Sequence, residues 1–160
     1  MKGHRTALCG AVSLVCVLVL ATAAFAADNS AGTWKLNLAK SKYDPAGLTP
    51  KSTTTKIEAV EGGAKVVVDT VDSQGKASHY EYTAKYDDKD YAVKGDPNRD
   101  TTSMKKIDDY TFDATNKKGG KVTTTTRTVY GRDGKSRTIT VTGVTPQGQK
   151  VSNTQVYDKQ

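Results

Sequence analysis

The chain has no cysteine beyond residue 16, and this absence excludes several kinds of chemistry. Both of its cysteines, Cys9 and Cys16, lie in the first 26 residues. The remainder therefore has no disulfide, no thiolate nucleophile and no cysteine ligand for a metal. It has one histidine, His79, and none of the Gly-x-Ser-x-Gly, Walker or His-Glu-x-x-His patterns of hydrolases, NTPases and zinc proteases. The sequence predicts no catalytic residue, no enzyme activity and no cofactor.

Large aliphatic residues are also scarce. After residue 26, Val, Ile, Leu and Phe account for 19 of 134 residues, a fraction at which intrinsic disorder has to be weighed. Eight tyrosines and one tryptophan add surface that can be buried. Because the apolar residues alternate with polar ones, the pattern favours half-buried β-strands over disorder.

The first 26 residues are typical of a secretory signal peptide. Lys2 and Arg5 precede an apolar run from Ala7 to Ala21, and Ala24-Phe25-Ala26 provides a small-residue cleavage site. The run is shorter than the roughly 20 residues that span a bilayer, so a cleaved leader is preferred to a membrane anchor. We expect residues 27–160 to form one exported domain, periplasmic or extracellular, with no integral membrane segment after cleavage.

The charge left after cleavage is mildly basic and evenly spread. Without Lys2 and Arg5 there are 22 Lys and Arg against 17 Asp and Glu. Lysine pairs such as Lys105-Lys106 and Lys117-Lys118 are separated by acidic residues and do not form a continuous basic stripe. The sequence therefore predicts no nucleic-acid partner, and no motif indicates a particular protein partner.

Turn residues divide the chain at a near-regular step. Gly62-Gly63, Gly119-Gly120 and Asp133-Gly134 belong to a series spaced by about 9 to 14 residues, with alternating segments between its members. This pattern predicts an all-β fold, an antiparallel up-and-down meander of about ten strands. We prefer a closed barrel to the alternative, a β-sandwich, because consecutive turns without a long return connection suit closure and a closed sheet has no edge.

Residues 121–145 are the clearest β-hairpin of the chain. Asp133-Gly134 tolerates the positive φ values of a tight turn, and the flanking runs are rich in Thr, Val and Ile. The register that follows pairs Thr124 with Gly143, Thr126 with Val141 and Thr128 with Ile139 on the inner face. We expect this inner face to be neutral, with Arg127 outside, although a longer loop with a bulge would exchange the faces.

Threonine on an inner face has two interpretations. In place of Leu or Ile it leaves space and supplies hydroxyl groups, which suits an interior that holds water or a ligand. Threonine also has a high β propensity and covers flat, half-solvated sheets. The pattern leaves both interpretations open.

The first predicted strand carries a resemblance to a known superfamily. Its Gly32-x-Trp34 resembles that of lipocalins, and the longer GTWKL resembles that of the fatty-acid-binding proteins. A set of secreted bacterial lipocalin-like proteins is more similar still, through GTWKLNLAKSKY, YDDKDYAVKGDPNRDT and the ending VYDKQ. The resemblance implies a calycin-type barrel whose tryptophan closes the base around a small apolar ligand. It carries no established activity.

Two departures from the fatty-acid-binding pattern bear on function. In that family an arginine two positions before the terminal tyrosine anchors the ligand carboxylate, whereas Gln155 stands before Tyr157 here. The family's lid helices have only residues 39–52 as a counterpart, and two prolines interrupt them. We therefore expect neither that anionic anchor nor a helical lid, and the only candidate for a helical turn is Leu38–Tyr43.

Three groups of polar residues are candidates for reactive or metal sites. His79 shares a strand face with Glu81, and we interpret it as a solvated strand residue. Two acidic groups have the oxygens that Ca²⁺ prefers. They are Asp87, Asp88 and Asp90, and Asp96, Asn98 and Asp100. Because these residue types are also the ordinary residues of turns, we predict turns and no metal.

The functional prediction that remains is a small neutral or apolar ligand bound inside the barrel. The alternative is a structural or protein-interaction component of the cell envelope that has no ligand. The predicted interior residues are Trp34, Tyr80, Tyr82, Thr126, Ile139 and Tyr157.

Overall fold

The computed structural model describes residues 29–160, which form ten antiparallel strands and two short 3-10 turns. The strands are β1 (Gly32–Leu36), β2 (Ser52–Val60), β3 (Gly63–Val71), β4 (Ala77–Lys85), β5 (Tyr91–Lys94), β6 (Thr101–Lys106), β7 (Thr111–Lys118), β8 (Lys121–Tyr130), β9 (Ser136–Val144) and β10 (Lys150–Lys159). The 3-10 turns, Leu38–Lys40 and Ala46–Leu48, lie between β1 and β2, and residues 29–160 contain no longer helix. The predicted signal peptide, residues 1–26, lies outside the described residues.

The sheet closes on itself. Each strand pairs with the next along the chain, and β1 also pairs with β10, so that Trp34 lies opposite Lys159 and Leu36 opposite Tyr157. This arrangement confirms the predicted up-and-down barrel of ten strands and excludes the sandwich. Because every strand has two neighbours, the sheet has no unpaired edge.

The hairpin of β8 and β9 has the register that a turn centred on Asp133-Gly134 predicts. The loop is wider than this dipeptide, because the N–H of Gly131 donates to the carbonyl oxygen of Ser136 and, of the two residues, only Gly134 has a positive φ. Thr126 lies opposite Val141, and Thr128 lies opposite Ile139. Along β8 the even-numbered threonines are half-buried, whereas Thr125, Arg127 and Val129 are exposed. No bulge interrupts the pairing of the two strands, so the faces are not exchanged.

One end of the barrel is filled by four aromatic rings, which we call the aromatic base. Trp34 meets Tyr130 edge-on at 5.3 Å between ring centroids, and Phe112 lies 5.8 Å from Tyr130 and 4.9 Å from Tyr86. The indole Nε1 of Trp34 donates a hydrogen bond of 2.9 Å to the carbonyl oxygen of Ser30. The aromatic base closes this end, in place of the aliphatic residues that the composition lacks.

The opposite end, the mouth, is less regular. The four-residue strand β5 pairs with only two residues of each neighbour, and the loop of residues 95–100 follows it. The segment between β1 and β2 lies against β10, where the backbone N–H of Asp44 donates to Asn153 Oδ1 at 3.0 Å. Short pairing and surface loops place the more open end of the cavity here.

Candidate functional site

The barrel encloses a cavity of about 350 Å³ between the aromatic base and the mouth. Strands from every part of the chain contribute to its wall, because inward-facing positions recur at every second residue. The β2–β3 wall is apolar and includes Ile57, Val66 and Val68. The facing β8 wall carries Thr124, Thr126 and Thr128. One side of the cavity is therefore apolar, and the other bears hydroxyl groups.

Five of the six predicted interior residues line this cavity. They are Tyr80, Tyr82, Thr126, Ile139 and Tyr157. The sixth, Trp34, is fully buried in the aromatic base and does not line the cavity wall. The two-residue period of β4 predicts the inward position of Tyr80 and Tyr82, and the register of the β8–β9 hairpin predicts that of Thr126 and Ile139.

The expectation of a neutral inner face is wrong, because Arg137 lies on it. Arg137 is the first inward-facing residue of β9 after the turn, opposite Tyr130, and it is 4% exposed. Its guanidinium carbon lies 4.5 Å from the ring centroid of Tyr157 and 5.2 Å from that of Trp34. The side chain lines the cavity, and its Nε is buried without a hydrogen-bond partner among the residues described.

A second arginine enters the cavity from the mouth. Arg99, in the loop after β5, places its guanidinium carbon 4.5 Å from the ring centroid of Tyr80. Its Nε donates to Asp96 Oδ2 at 2.8 Å, and its Nη1 donates to Asn116 Oδ1 at 2.6 Å. Arg99 is therefore compensated by a carboxylate and an amide, whereas Arg137 is held by aromatic faces.

Asn116 joins this arginine to the threonine wall. Its Oδ1 also accepts a hydrogen bond from Thr102 Oγ1 at 3.0 Å, and its Nδ2 donates to Thr124 Oγ1 at 3.0 Å. Asn116 is 2% exposed. The network fixes the polar side of the mouth in one arrangement, since each buried partner would otherwise lack a hydrogen bond.

Two tyrosines of the cavity, Tyr82 and Tyr157, are held in the neutral form. Burial raises the pKa of Tyr82 to about 12, although Arg99 and Arg137 act in the opposite direction. Burial also raises the pKa of Tyr157 well above its ordinary value. Near neutral pH these phenols are therefore hydroxyl groups, and Tyr157 donates to Gln155 Oε1 at 3.1 Å.

Among the candidate reactive and metal-binding residues, His79 and Asp87 lie outside the cavity wall, whereas Asp96 and Asn98 line the cavity at its mouth. His79 is on the outer face of β4, where its Nδ1 lies 2.7 Å from Asp69 Oδ1 and both side chains are exposed. Asp87 and Asp96 accept hydrogen bonds from the backbone N–H groups of Lys89 and Asn98, as turn residues do. In residues 29–160, no group of three or more His, Asp or Glu side chains is arranged to hold a metal ion.

Comparison with known proteins adds no family to this description. Neither a scan against protein-family models nor a search of curated proteins finds a match for this chain. Between residues 29 and 160 there is no helix of the length and apolarity needed to cross a membrane.

Proposed function

We propose that this protein is an exported, lipocalin-like barrel that binds a small, largely apolar ligand in its interior. The observation that carries the proposal is the cavity of about 350 Å³, whose wall combines Val and Ile side chains with threonine hydroxyl groups. Cavities of this size with a mostly apolar lining and a few polar groups are typical of small-molecule sites. Export rests on the amino-terminal leader, and the role is binding without catalysis.

The distribution of tyrosine favours this role over that of an envelope protein without a ligand. A protein-interaction surface would be expected to display aromatic residues in an exposed patch. All eight tyrosines lie within the described residues, and each is buried or half-buried. Tyr80, Tyr82, Tyr86, Tyr130 and Tyr157 line the cavity instead.

The most direct test is native mass spectrometry of the protein purified from its own cell envelope. We expect a species heavier than the cleaved chain by the mass of one small molecule, which organic extraction then releases. Protein that carries no small molecule, together with failure of the titration below, would contradict the proposal.

A titration with a neutral fluorescent compound tests the location of the site. N-phenylnaphthylamine brightens in apolar surroundings, and Trp34, the single tryptophan of the chain, lies in the aromatic base beside the cavity and transfers energy to a bound dye. We expect Thr126→Tyr, which fills the cavity, to weaken binding by about tenfold or more, the effect of losing roughly 1.4 kcal/mol.

The matched control is Thr125→Tyr. Thr125 is the neighbouring residue on β8, is exposed, and contacts Thr142 on the outer face at 3.2 Å between hydroxyl oxygens. This variant adds the same ring outside the barrel and should leave the affinity unchanged. Equal losses in the two variants would place the dye outside the cavity.

A further inference from the structure

The cavity contains a buried positive charge that no carboxylate of residues 29–160 compensates. Arg137 is 4% exposed, and within residues 29–160 no carboxylate lies within ion-pair distance of it. Its neighbours are the rings of Trp34 and Tyr157. Aromatic faces attract the positive charge. They do not supply hydrogen-bond acceptors for the N–H groups, which lie in the plane of the guanidinium.

Arg137 also has a hydrogen-bond donor without an acceptor in residues 29–160. The Nε of Arg137 is buried and has no hydrogen-bond partner in the described part of the chain, while the side chain lines the cavity wall. A buried guanidinium that lacks acceptors is costly, and a ligand that supplies an acceptor lowers this cost. Because Arg137 lines the cavity wall, a ligand in the cavity lies beside its guanidinium group.

Arg99 provides an internal contrast. It lines the same cavity, yet Asp96 and Asn116 already accept its hydrogen bonds. Both residues are buried or half-buried, so the fold itself supplies the acceptors that Arg99 needs. Of the two arginines, Arg137 is the one whose hydrogen-bonding capacity remains for a ligand.

We propose that the ligand is an amphipathic organic anion, whose acidic group pairs with Arg137 and whose apolar body lies against the β2–β3 wall. This inference rests on the proposed binding function and replaces the expectation of a neutral ligand. A carboxylate, sulfonate or phosphate oxygen accepts from a guanidinium in the same way. Tyr82 and Thr126 then contact the middle of the ligand from the polar side of the cavity.

Two dyes that share one skeleton test the proposal. Anilinonaphthalene sulfonate is an anion, and N-phenylnaphthylamine is its counterpart without the acidic group. Energy transfer from Trp34 reports dye in the cavity, because its ring lies 5.2 Å from the guanidinium carbon of Arg137. We expect the wild-type protein to bind the sulfonate at least ~10-fold more tightly than the neutral dye, as a charge-assisted hydrogen bond provides.

The variants then assign that preference to Arg137. Arg137→Gln should weaken sulfonate binding by ~10-fold or more and leave the neutral dye nearly unaffected, whereas Arg137→Lys should keep part of the preference. Arg127→Gln is the matched control, since it removes the same charge from the outer face, where Arg127 pairs with Asp113. This control should bind both dyes as the wild type does.

Each outcome separates this inference from the function on which it rests. If the neutral dye binds in the cavity as tightly as the sulfonate, the anionic ligand is excluded while the binding function stands. Equal weakening of both dyes by Arg137→Gln would assign Arg137 to structure alone. If neither dye enters the cavity, the proposed function itself fails. Should Arg137→Gln not fold, as judged by circular dichroism, the wild-type dye pair and Arg137→Lys still decide between these outcomes.

Discussion

At the scale of single residues, Asn116 is the centre of the polar network at the mouth. Its amide accepts from Arg99 and Thr102 and donates to Thr124, all within 3.0 Å. No other buried side chain in this region contacts both the loop after β5 and the threonine wall of β8 through the hydrogen bonds described. Asn116 therefore links Arg99, which Asp96 also holds, to β6 and to the threonine wall.

Replacing this amide gives the first prediction. We expect Asn116→Ala to lower the free energy of unfolding by about 2–3 kcal/mol, because Arg99 and Thr102 lose a buried acceptor. Urea denaturation followed by circular dichroism measures the change. Thr125→Ala, on the exposed outer face, should change the same quantity by less than about 0.5 kcal/mol. Similar losses in both variants would mean that the network contributes nothing specific.

The second prediction concerns the buried phenol of Tyr82. Its pKa in the folded protein is raised to about 12, whereas the pKa of an unfolded tyrosine is about 10. The stability that this burial provides is therefore complete below about pH 10 and is lost as the pH rises towards 12. We expect the free energy of unfolding to fall across this window, and to fall less steeply in Tyr82→Phe.

Urea denaturation of both proteins at intervals from about pH 9 to pH 11.5 measures the two slopes. Lysine deprotonation affects both proteins equally, so the difference between the slopes belongs to the phenol. Parallel slopes would show that Tyr82 titrates alike in the folded and unfolded chains.

At the scale of elements, the packing of β4 against β3 leaves no room for a side chain at Gly63. A Cβ at this position would lie against the carbonyl oxygen of Ala84 and 2.6 Å from the Cα of Lys85. Both of these are backbone atoms, which no rotamer change can move away. The close approach belongs to the end of the barrel where Ala84, itself fully buried, faces inwards.

The third prediction compares two glycines that differ in this respect. We expect Gly63→Ala to lower the free energy of unfolding by about 2 kcal/mol, because the two strands have to separate. Gly47→Ala, in the second 3-10 turn, meets nothing within 4 Å. It should be neutral or stabilising by about 0.5 kcal/mol through the unfolded chain. Thermal melting of both variants checks the opposite signs, and a tolerated Gly63→Ala would refute the steric argument.

The strands and their faces were predictable because local patterns determine them. The two-residue period of β4 places Tyr80 and Tyr82 inside, and a turn centred on Asp133-Gly134 predicts the register of β8 with β9. The same register also pointed Arg137 inwards, opposite Tyr130. The neutral pairs lie further from the turn, and Arg137, next to the turn, brings a positive charge to the inner face.

Other features of the site depend on contacts between distant parts of the chain. Arg99 reaches Tyr80 because the loop of residues 95–100 folds over the mouth, and no residue pattern in that loop indicates the direction. Trp34 is separated from the cavity because the fold packs Tyr130 and Arg137 against its ring. Such packing is a property of the closed barrel, and a strand-by-strand prediction does not contain it.

At the scale of the whole molecule, the number of strands explains why the barrel has open space in its interior. Eight strands make a barrel that side chains just fill, and the diameter grows with strand number. With ten strands, the aromatic base fills one end, and the Thr, Ala and Val side chains further along leave a cavity of about 350 Å³. The scarcity of Leu and Ile thus accompanies an open centre.

The pairing of β1 with β10 has one more consequence, because it brings the two ends of the described chain side by side. The backbone N–H of Gln160 donates to the carbonyl oxygen of Thr33 at 2.9 Å. The order of the strands around the ring is therefore independent of where the polypeptide starts. We expect a circular permutant, with a short Gly-Ser linker from Gln160 to Asn29 and new termini at Gly119-Gly120, to keep its circular dichroism spectrum and melt within a few degrees of the parent. New termini in the middle of β8 should abolish folding. A folded permutant with termini at Gly119-Gly120 would allow a reporter to be fused beside the mouth.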